Sequence, residues 1–444
     1  MTGARVALTT LGCRLNQVDG LELAAALEAR GLRTVAGDER ADVVVVNTCT
    51  VTARADFSDR QAIHRAVRRH PGARVVVTGC WAQTDPDAVA RVAGVDLVVG
   101  NADKARLPDL IGRLLDGPAP AARRAERHVS DIAAARVLAP APLAPAPGRS
   151  RAFVKVQDGC QHRCAFCIVP LARGVSRSRE PHAVIEQVRQ LAQTGHRDVT
   201  LTGVDLGHYG RDLSPRTTLA ALLRAVVEVP GLHWVRLSSV LPAYFTPELI
   251  EVVTGSAIVA PHLHVPLQSG SDAVLRRMRR PYTAAMYRGL VDRLAAARPR
   301  LGLGADVIVG FPGETDADFA ATRAMIETLP FTYLHVFPYS DRRGTEAATL
   351  EGRVDPATIA ARGSELRALA ADKGLAFRRG LVGGTYDAVV LETRDRATGG
   401  LVGLTGTYVE VVFEGPDALM RRIVGVRVTG ADRTRTPGRM EAAA

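Results

Sequence analysis

Three cysteines within eight residues constrain this chain more than any other feature of its sequence. Cys160, Cys164 and Cys167 form a C-x3-C-x2-C pattern directly after AFVKVQDG, an apolar segment that predicts a β-strand. Three thiolates at this spacing can bind three corners of a cubic iron–sulfur cluster and leave the fourth iron without a protein ligand. A structural zinc site is the alternative, but zinc needs four ligands, and His162 would have to fold back to be the fourth. We therefore predict a 4Fe-4S cluster here.

The other three cysteines are far apart in the sequence but occupy equivalent positions. RVALTTLG precedes Cys13, ADVVVVNT precedes Cys49 and ARVVVTG precedes Cys80, and each of these segments predicts a buried strand. Because the carboxyl ends of parallel strands meet at one edge of a sheet, we expect the three thiols to converge. Three unrelated buried thiols are the alternative, since free cysteine often packs as a small apolar residue. A second 4Fe-4S cluster with an open iron fits this arrangement best.

The order of the predicted elements divides the 444 residues into three domains. Strands and helices alternate over 1–116, which predicts an α/β domain with a parallel sheet of Rossmann or flavodoxin type. Residues 117–150 contain the Pro-Ala run LAPAPLAPAPG and predict an extended linker. Six strand–helix units over 151–375 predict a partial (β/α)6 barrel. Short glycine-punctuated strands over 376–435 predict a small OB-like β-barrel, and 436–444 is predicted to be a disordered tail.

Composition and charge limit the compartment and the partners. The chain has 57 Lys and Arg residues against 46 Asp and Glu residues, a net charge of +11, which favours a polyanionic partner such as nucleic acid. No segment is apolar enough to span a membrane, and the start of the chain is not typical of a secretory signal. We therefore expect a cytoplasmic protein without membrane association, in which structural disulfides are rare. The sequence contains no P-loop, so nucleotide hydrolysis is not indicated.

These motifs, in this order, resemble the radical S-adenosylmethionine methylthiotransferases over essentially the whole chain. The segments LGCRLNQ, NTCTVT, QDGCQHRCAFCIVPLARGVSRSR, HVPLQSGSDAVLRRMRRPYT and VIVGFPGET look most like the MtaB type of that family. The resemblance implies S-adenosylmethionine and two 4Fe-4S clusters as cofactors, together with a TRAM-like RNA-binding module at the C-terminus. It assigns the cofactor-binding cluster to Cys160, Cys164 and Cys167, and a sulfur-delivering auxiliary cluster to Cys13, Cys49 and Cys80.

The activity that the resemblance implies is the transfer of a methylthio group. The expected target is C2 of threonylcarbamoyladenosine at position 37 of tRNA, next to the anticodon. The expected partners are tRNA and an electron donor such as a flavodoxin or ferredoxin, and we expect a monomer. Two related activities stay open: the same reaction on isopentenyladenosine, or methylthiolation of an aspartate in a ribosomal protein. A non-enzymatic iron–sulfur RNA-binding protein is a further alternative, but it would need four protein ligands for each cluster.

Outside the cysteines, the sequence offers candidate contacts for the cofactor and for RNA. Small and polar residues at predicted strand ends are candidates for binding S-adenosylmethionine; these are Gly203, Ser239, Gln268 and Ser269. Two arginine clusters are candidate phosphate contacts; these are Arg173, Arg177 and Arg179, and Arg276, Arg277, Arg279 and Arg280. Glu314 fits a helix N-terminus better than a functional site. His262 and His264 share one face of a predicted strand, without a metal-binding motif such as H-E-x-x-H.

Overall fold

A computed structural model describes residues 3–117, 125–138 and 149–441 of the chain, which form two compact units. The first unit consists of Met1–Ala144, Gln157–Ser178 and Ser340–Ala348. The second unit consists of Pro145–Val156, Arg179–Tyr339 and Thr349–Ala444. Among the described residues, no helix has both the length and the apolarity to cross a membrane.

The first unit is built on a six-stranded parallel sheet. Its strands are β1 (Arg5–Thr10), β2 (Arg33–Val35), β3 (Val43–Thr48), β4 (Arg74–Gly79), β5 (Leu97–Val99) and β6 (Glu126–His128). They lie in the order β2-β1-β3-β4-β5-β6, and every neighbouring pair is parallel. Valine-rich β3 and β4 are buried on both faces, as a parallel sheet between two helix layers requires. The predicted flavodoxin-like topology is confirmed.

Helices cover both faces of this sheet. They are α1 (Arg14–Glu28), α2 (Ala53–Arg69), α3 (Cys80–Thr84), α4 (Pro86–Ala90) and α5 (Leu107–Asp116). The alternation of side chains along β3 divides the core, because Val43 and Val45 pack with α1 and α5 while Val44 and Val46 pack with α2, α3 and α4. The N-terminus of α2 is fixed by Thr52, whose side chain accepts a hydrogen bond from the backbone of Ala55.

Strand β6 corrects the prediction of a linker over 117–150. Glu126–His128 pair in parallel with β5, so the linker prediction is wrong for these residues and the sheet extends past the boundary predicted at 116. A strand of three polar residues carries no hydrophobic pattern, which is why the sequence did not indicate it. The Pro-Ala run at 139–148 lies outside the described residues.

Two later segments also belong to the first unit. Strands β8 (Gln157–Asp158) and β9 (Arg177–Ser178) pair with each other and enclose α6 (Val169–Arg173) and the C-x3-C-x2-C loop. The segment Ser340–Ala348 joins this loop through a hydrogen bond of 2.7 Å from the backbone of Ala347 to the carbonyl of Ala165. The cysteine loop therefore groups with the N-terminal sheet, which differs from the domain over 151–375 that the sequence predicted.

The second unit contains six parallel strands that follow one another in chain order. They are β7 (Arg151–Lys155), β10 (Asp198–Thr202), β11 (Trp234–Leu237), β12 (His262–His264), β13 (Gly302–Val309) and β14 (Tyr333–Pro338). Two three-stranded sheets meet between β11 and β12, where the backbone N–H of Val240 donates to the carbonyl of His264. The predicted partial (β/α)6 barrel is confirmed.

Helices surround this barrel, and the main apolar core lies between them and the strands. They are α7 (Pro181–Gln193), α8 (Leu219–Val227), α9 (Pro247–Gly255), α10 (Asp272–Arg277), α11 (Ala284–Ala297), α12 (Asp316–Thr328) and α13 (Pro356–Arg379). The last helix runs past residue 376, where the sequence predicted the start of the β domain.

The C-terminal strands form a nearly closed antiparallel barrel. They are β15 (Thr385–Arg394), β16 (Leu401–Thr405), β17 (Glu410–Phe413), β18 (Ile423–Val428) and β19 (Gly438–Met440), in the order β17-β16-β15-β18-β19. A bridge between Val412 and Pro437 brings the two edges together, so the predicted small β-barrel is confirmed. The prediction of a disordered tail over 436–444 is wrong for Gly438–Met440, because these residues pair with β18.

The turn between β16 and β17 closes the amino-terminal end of the (β/α)6 barrel. The buried guanidinium of Arg236 donates to the Asp198 carboxylate at 2.8 Å and to the carbonyls of Thr405 and Gly406 at 3.0 and 2.9 Å. The ring of Tyr408 stacks on His262, with centroids 4.3 Å apart. The C-terminal module thus forms the floor of the barrel.

Candidate functional site

Cys13, Cys49 and Cys80 stand at the carboxyl ends of three neighbouring strands. Their strands β1, β3 and β4 are adjacent in the sheet. Cys13 is the N-cap of α1, Cys80 is the first residue of α3, and Cys49 follows β3 directly. None of the three is in a disulfide. The structure therefore places each thiol at the strand end that the sequence predicted.

Burial and neighbouring charges change the pKa values of Cys49 and Cys80. Burial raises the pKa of Cys49 to about 12, and the charges of Cys80 and Cys13 add to the rise. Burial also raises the pKa of Cys80, while the positive charge of Arg173 acts in the opposite direction. Thiols must lose their protons to bind a metal, so a metal group bound here would displace these protons. Three free thiols with a cation beside them form a donor set that fits an iron–sulfur cluster.

Gly12 allows the β1–α1 turn to pass close to Cys49. Its φ angle is +90°, a conformation that L side chains rarely adopt, and a Cβ atom at this position would lie 2.6 Å from the sulfur of Cys49. The glycine is therefore required by the close approach of two of the three cysteine-bearing turns.

The second triad lies on one loop between β8 and α6. Cys160, Cys164 and Cys167 are half-buried, and none is in a disulfide. The backbone of Cys160 donates to the carbonyl of Gly174 at 2.9 Å, and the backbone of Cys167 donates to that of Cys164 at 3.0 Å. Backbone hydrogen bonds therefore shape the loop and leave three thiols as candidate ligands, which again fits a cluster with one open iron.

Arg173 links the segments that carry the two triads. Its guanidinium donates to Asp158 at 3.0 Å, to Asp19 at 2.9 Å and to Asn16 at 3.2 Å. Its side chain is only 3% exposed. The prediction that Arg173 contacts RNA phosphate is therefore wrong, because its donors are used inside the first unit. The neighbouring Lys104 also binds Asp19, at 3.2 Å.

The other arginines predicted to contact phosphate differ in their exposure to solvent. Arg177 and Arg179 are buried like Arg173, so the prediction that they contact RNA is also wrong. Arg177 donates to the carbonyl of Arg173, and Arg179 donates to the side chain of Gln187. The second cluster is different, because three of its guanidinium groups are exposed and one is half-buried beside the hydroxyl of Tyr282. Its members are Arg276, Arg277, Arg279 and Arg280.

The predicted cofactor contacts lie after strands of the second unit. Gly203 and Ser239 are half-buried after β10 and β11. Gln268 is buried with a φ angle of +66°, and its Oε1 atom has no hydrogen-bond partner among the residues that the structure describes. Strain of this kind in a non-glycine residue concentrates at functional sites. By contrast, the Ser269 hydroxyl is 3.1 Å from that of Thr322 and has an internal partner.

Glu314 has a structural role, as the sequence indicated. It lies two residues before the start of α12, and its carboxylate lies 2.6 Å from Arg362. Burial raises its pKa, which the charge of Arg362 opposes. No local sequence pattern indicated this partner, because Arg362 lies on α13, which is distant in the chain.

A polar group inside the barrel was missed by the sequence analysis. His264, Asp306 and His335 lie on the neighbouring strands β12, β13 and β14, and their ligand-type atoms are all within 4.8 Å of one another. The shared face of His262 and His264 was the only signal of it. The two partners on β13 and β14 could be found only through the register of the sheet.

Comparisons with known proteins agree with the fold. The model of the radical SAM superfamily matches residues 154–326, and the model described as uncharacterized protein family UPF0004 matches residues 5–100. A radical S-adenosylmethionine methyltransferase, TsrM from Kitasatospora setae, has the same fold over 78% of this chain and 77% of its own, with a TM-score of 0.60 and 18% identity. The chain thus shares the fold of this protein and matches the radical SAM superfamily model over residues 154–326.

Two groups of relatives are similar to this chain over most of its length. The threonylcarbamoyladenosine tRNA methylthiotransferase MtaB of Bacillus subtilis (strain 168) is 38% identical over 96% of this chain and 94% of its own. The tRNA-2-methylthio-N(6)-dimethylallyladenosine synthase of Parafrankia sp. (strain EAN1pec) is 39% identical over 94% of this chain and 85% of its own. The chain therefore belongs to the radical S-adenosylmethionine methylthiotransferase family.

Proposed function

We propose that this protein transfers a methylthio group to C2 of threonylcarbamoyladenosine at position 37 of tRNA. The observation that carries the proposal is the pair of cysteine triads, one at the ends of adjacent strands and one on a single loop. The similarity to the Bacillus subtilis relative, which spans nearly both full chains, supports the choice of substrate.

The cysteines are the proposed cluster ligands. Cys160, Cys164 and Cys167 would hold the cluster that binds S-adenosylmethionine, and the strand-end triad would hold the auxiliary cluster. These groups supply one-electron chemistry and sulfur, which amino-acid side chains cannot provide. The chain itself contributes position and charge. The positive charge of Arg173 acts to lower the pKa of Cys80, and Gln268 offers a buried amide oxygen for a ligand.

The proposed partners follow from the substrate. Exposed Arg276, Arg277 and Arg279 would add salt-dependent affinity for tRNA phosphates, together with the TRAM-like C-terminal module. The protein would act in the cytoplasm as a monomer, because tRNA is found there and every proposed ligand comes from one chain. A flavodoxin or ferredoxin would deliver the electron.

Nucleoside analysis of tRNA from a deletion strain tests this proposal. We expect the methylthio derivative of threonylcarbamoyladenosine to disappear and its unmethylthiolated precursor to accumulate. Plasmid-borne wild type should restore the modification, whereas Cys164→Ala should not. Loss of the methylthio derivative of isopentenyladenosine instead, or unchanged nucleosides, would overturn the assignment.

A further inference from the structure

The inner wall of the barrel is defined by alternation along its strands. On β14, Leu334 and Val336 pack against the core beneath the helices, so Tyr333, His335 and Phe337 point to the opposite side, into the barrel. On β13, Val307 and its alternate neighbours lie in the same core, which places Asp306 on the inner wall. The inner wall near β12–β14 is therefore polar and aromatic.

Three of these side chains form a compact group, the His-Asp-His cluster (His264, Asp306 and His335). Nε2 of His264 lies 3.1 Å from the Asp306 carboxylate, and Nδ1 lies 3.0 Å from the hydroxyl of Tyr333. The rings of His264 and His335 are stacked, with centroids 5.6 Å apart. The cluster thus presents the Asp306 carboxylate as an acceptor beside the imidazole of His335, while both ring nitrogens of His264 are engaged by Asp306 and Tyr333.

The cluster is closed below and accessible above. Tyr408 and its turn form the barrel floor beneath His262, which lies two residues before His264 on β12. Toward the carboxyl end of β14, His335 is exposed and the ring of Phe337 is 42% exposed. A ligand entering at the carboxyl ends of the strands, where such barrels bind their substrates, would pass Phe337 and reach the cluster.

We propose that the His-Asp-His cluster binds the N6 substituent of the substrate adenosine and selects a polar substituent over an apolar one. This inference rests on the proposed function. A threonylcarbamoyl group offers ureido N–H donors for Asp306 and a carboxylate to which the imidazole of His335 can donate an N–H. Phe337 offers a ring on which the adenine base can stack, as bases do on aromatic side chains of RNA-binding sheets.

The same chemistry discriminates against the substrate of the sister enzymes. A dimethylallyl group has neither donors nor acceptors. Binding it would remove the hydrogen bonds that the cluster makes to water and would supply none in their place. A site built to hydrogen-bond its substrate rejects an analogue that lacks those groups far more strongly than a hydrophobic pocket does. The inner wall therefore distinguishes the two substrates. The overall identities to the two groups of relatives, 38% and 39%, do not distinguish them.

The test uses the reconstituted protein and three anticodon stem-loops that differ only at position 37. These carry threonylcarbamoyladenosine, isopentenyladenosine or unmodified adenosine, and binding is measured by fluorescence anisotropy beside kcat/KM. We expect wild type to prefer the first RNA over the second by at least about a hundredfold in kcat/KM. His335→Leu should weaken binding of the threonylcarbamoyl RNA at least about tenfold, because it removes hydrogen bonds to the threonylcarbamoyl group. Binding of unmodified RNA should not change, because that RNA lacks the group.

Two further variants control for folding. His335→Gln retains a donor and should recover part of the affinity. His233→Leu removes a histidine that also lies beside an aspartate, at 3.2 Å from Asp387, but precedes β11 at the other end of the barrel. It should bind all three RNAs like wild type.

Three further outcomes distinguish failure of the inference from failure of the proposed function. If wild type modifies the threonylcarbamoyl RNA but His335→Leu and Asp306→Asn bind it as tightly as wild type, the inference is wrong and the proposed function stands. Zn²⁺ binding in equilibrium dialysis that is lost in His335→Leu would assign the cluster to a metal and overturn the inference. If wild type modifies none of the RNAs under conditions that release 5′-deoxyadenosine, the proposed function fails.

Discussion

The guanidinium of Arg173 lies 2.9 Å from the carboxylate of Asp19, and both side chains are more than nine-tenths buried. Asp19 is on α1, which begins directly after Cys13, and Arg173 ends α6, which follows the C-x3-C-x2-C loop. Separating a buried ion pair leaves each charge without a partner in a nonpolar environment, which is strongly unfavourable. This pair therefore fixes the two segments to each other within the first unit.

Replacement of Arg173 tests this link. Arg173→Met should leave Asp158 without its closest ion-pair partner and should remove the nearer of the cations Arg173 and Lys104 from Asp19. We expect it to lower the free energy of unfolding by roughly 3–5 kcal/mol. Urea denaturation measures the change. Arg30→Met is the control, since it breaks the exposed Arg30–Asp109 pair and should cost under about 1 kcal/mol. Equal losses in the two variants would contradict the role assigned to Arg173.

Gly12→Ala should disrupt the strand-end triad alone. The added methyl group would occupy space within 2.6 Å of the Cys49 sulfur, at a φ angle that disfavours alanine. After reconstitution, we expect the variant to lose about half of the bound iron, which inductively coupled plasma measurement would detect. Gly37→Ala is the control, because nothing lies within 4 Å of its Cβ position. Full iron content in Gly12→Ala would show that the turn can adjust.

The sequence predicted the elements with strong apolar patterns and the chemistry attached to their ends. The valine runs of β3 and β4 located Cys49 and Cys80 correctly, because strand topology fixes where each run ends. It did not predict the partners of charged residues. Arg173 and Arg277 both lie in dense arginine runs, yet one is buried against a carboxylate distant in sequence and the other is exposed. Pairings of this kind depend on tertiary contacts that no local pattern encodes.

Arg236→Met should release the C-terminal module from the barrel floor. The substitution leaves buried Asp198 without its cation and removes the side-chain donor to the carbonyls of Thr405 and Gly406. We expect a loss of roughly 3–5 kcal/mol in the free energy of unfolding, together with faster proteolysis of the β16–β17 turn. Arg224→Met, which breaks an exposed pair with Glu251 on the outer helices, is the matched control.

His208 should make the stability of the second unit depend on pH. Burial, aided by the charge of Arg211, lowers its pKa below the ordinary value of 6.5. The folded state therefore favours the neutral ring, and its contribution is present above pH 6.5 and is lost as the pH falls toward the folded pKa. The melting temperature of wild type should fall more between about pH 7.5 and about pH 5.5 than that of His208→Gln. An equal fall in both proteins would exclude this contribution.

Cys49→Ala should separate the two proposed cluster functions. Reconstituted wild type should bind about eight irons, and this variant about four, because one of two cubic clusters loses a ligand. Release of 5′-deoxyadenosine from S-adenosylmethionine should persist, since Cys160, Cys164 and Cys167 lie on a different loop and remain intact. Methylthiolation of tRNA should be abolished. The triple replacement of the loop cysteines by alanine should also halve the iron, but it should abolish both activities. If Cys49→Ala retains all of its iron, or loses 5′-deoxyadenosine release along with methylthiolation, then the strand-end triad is not an independent cluster site.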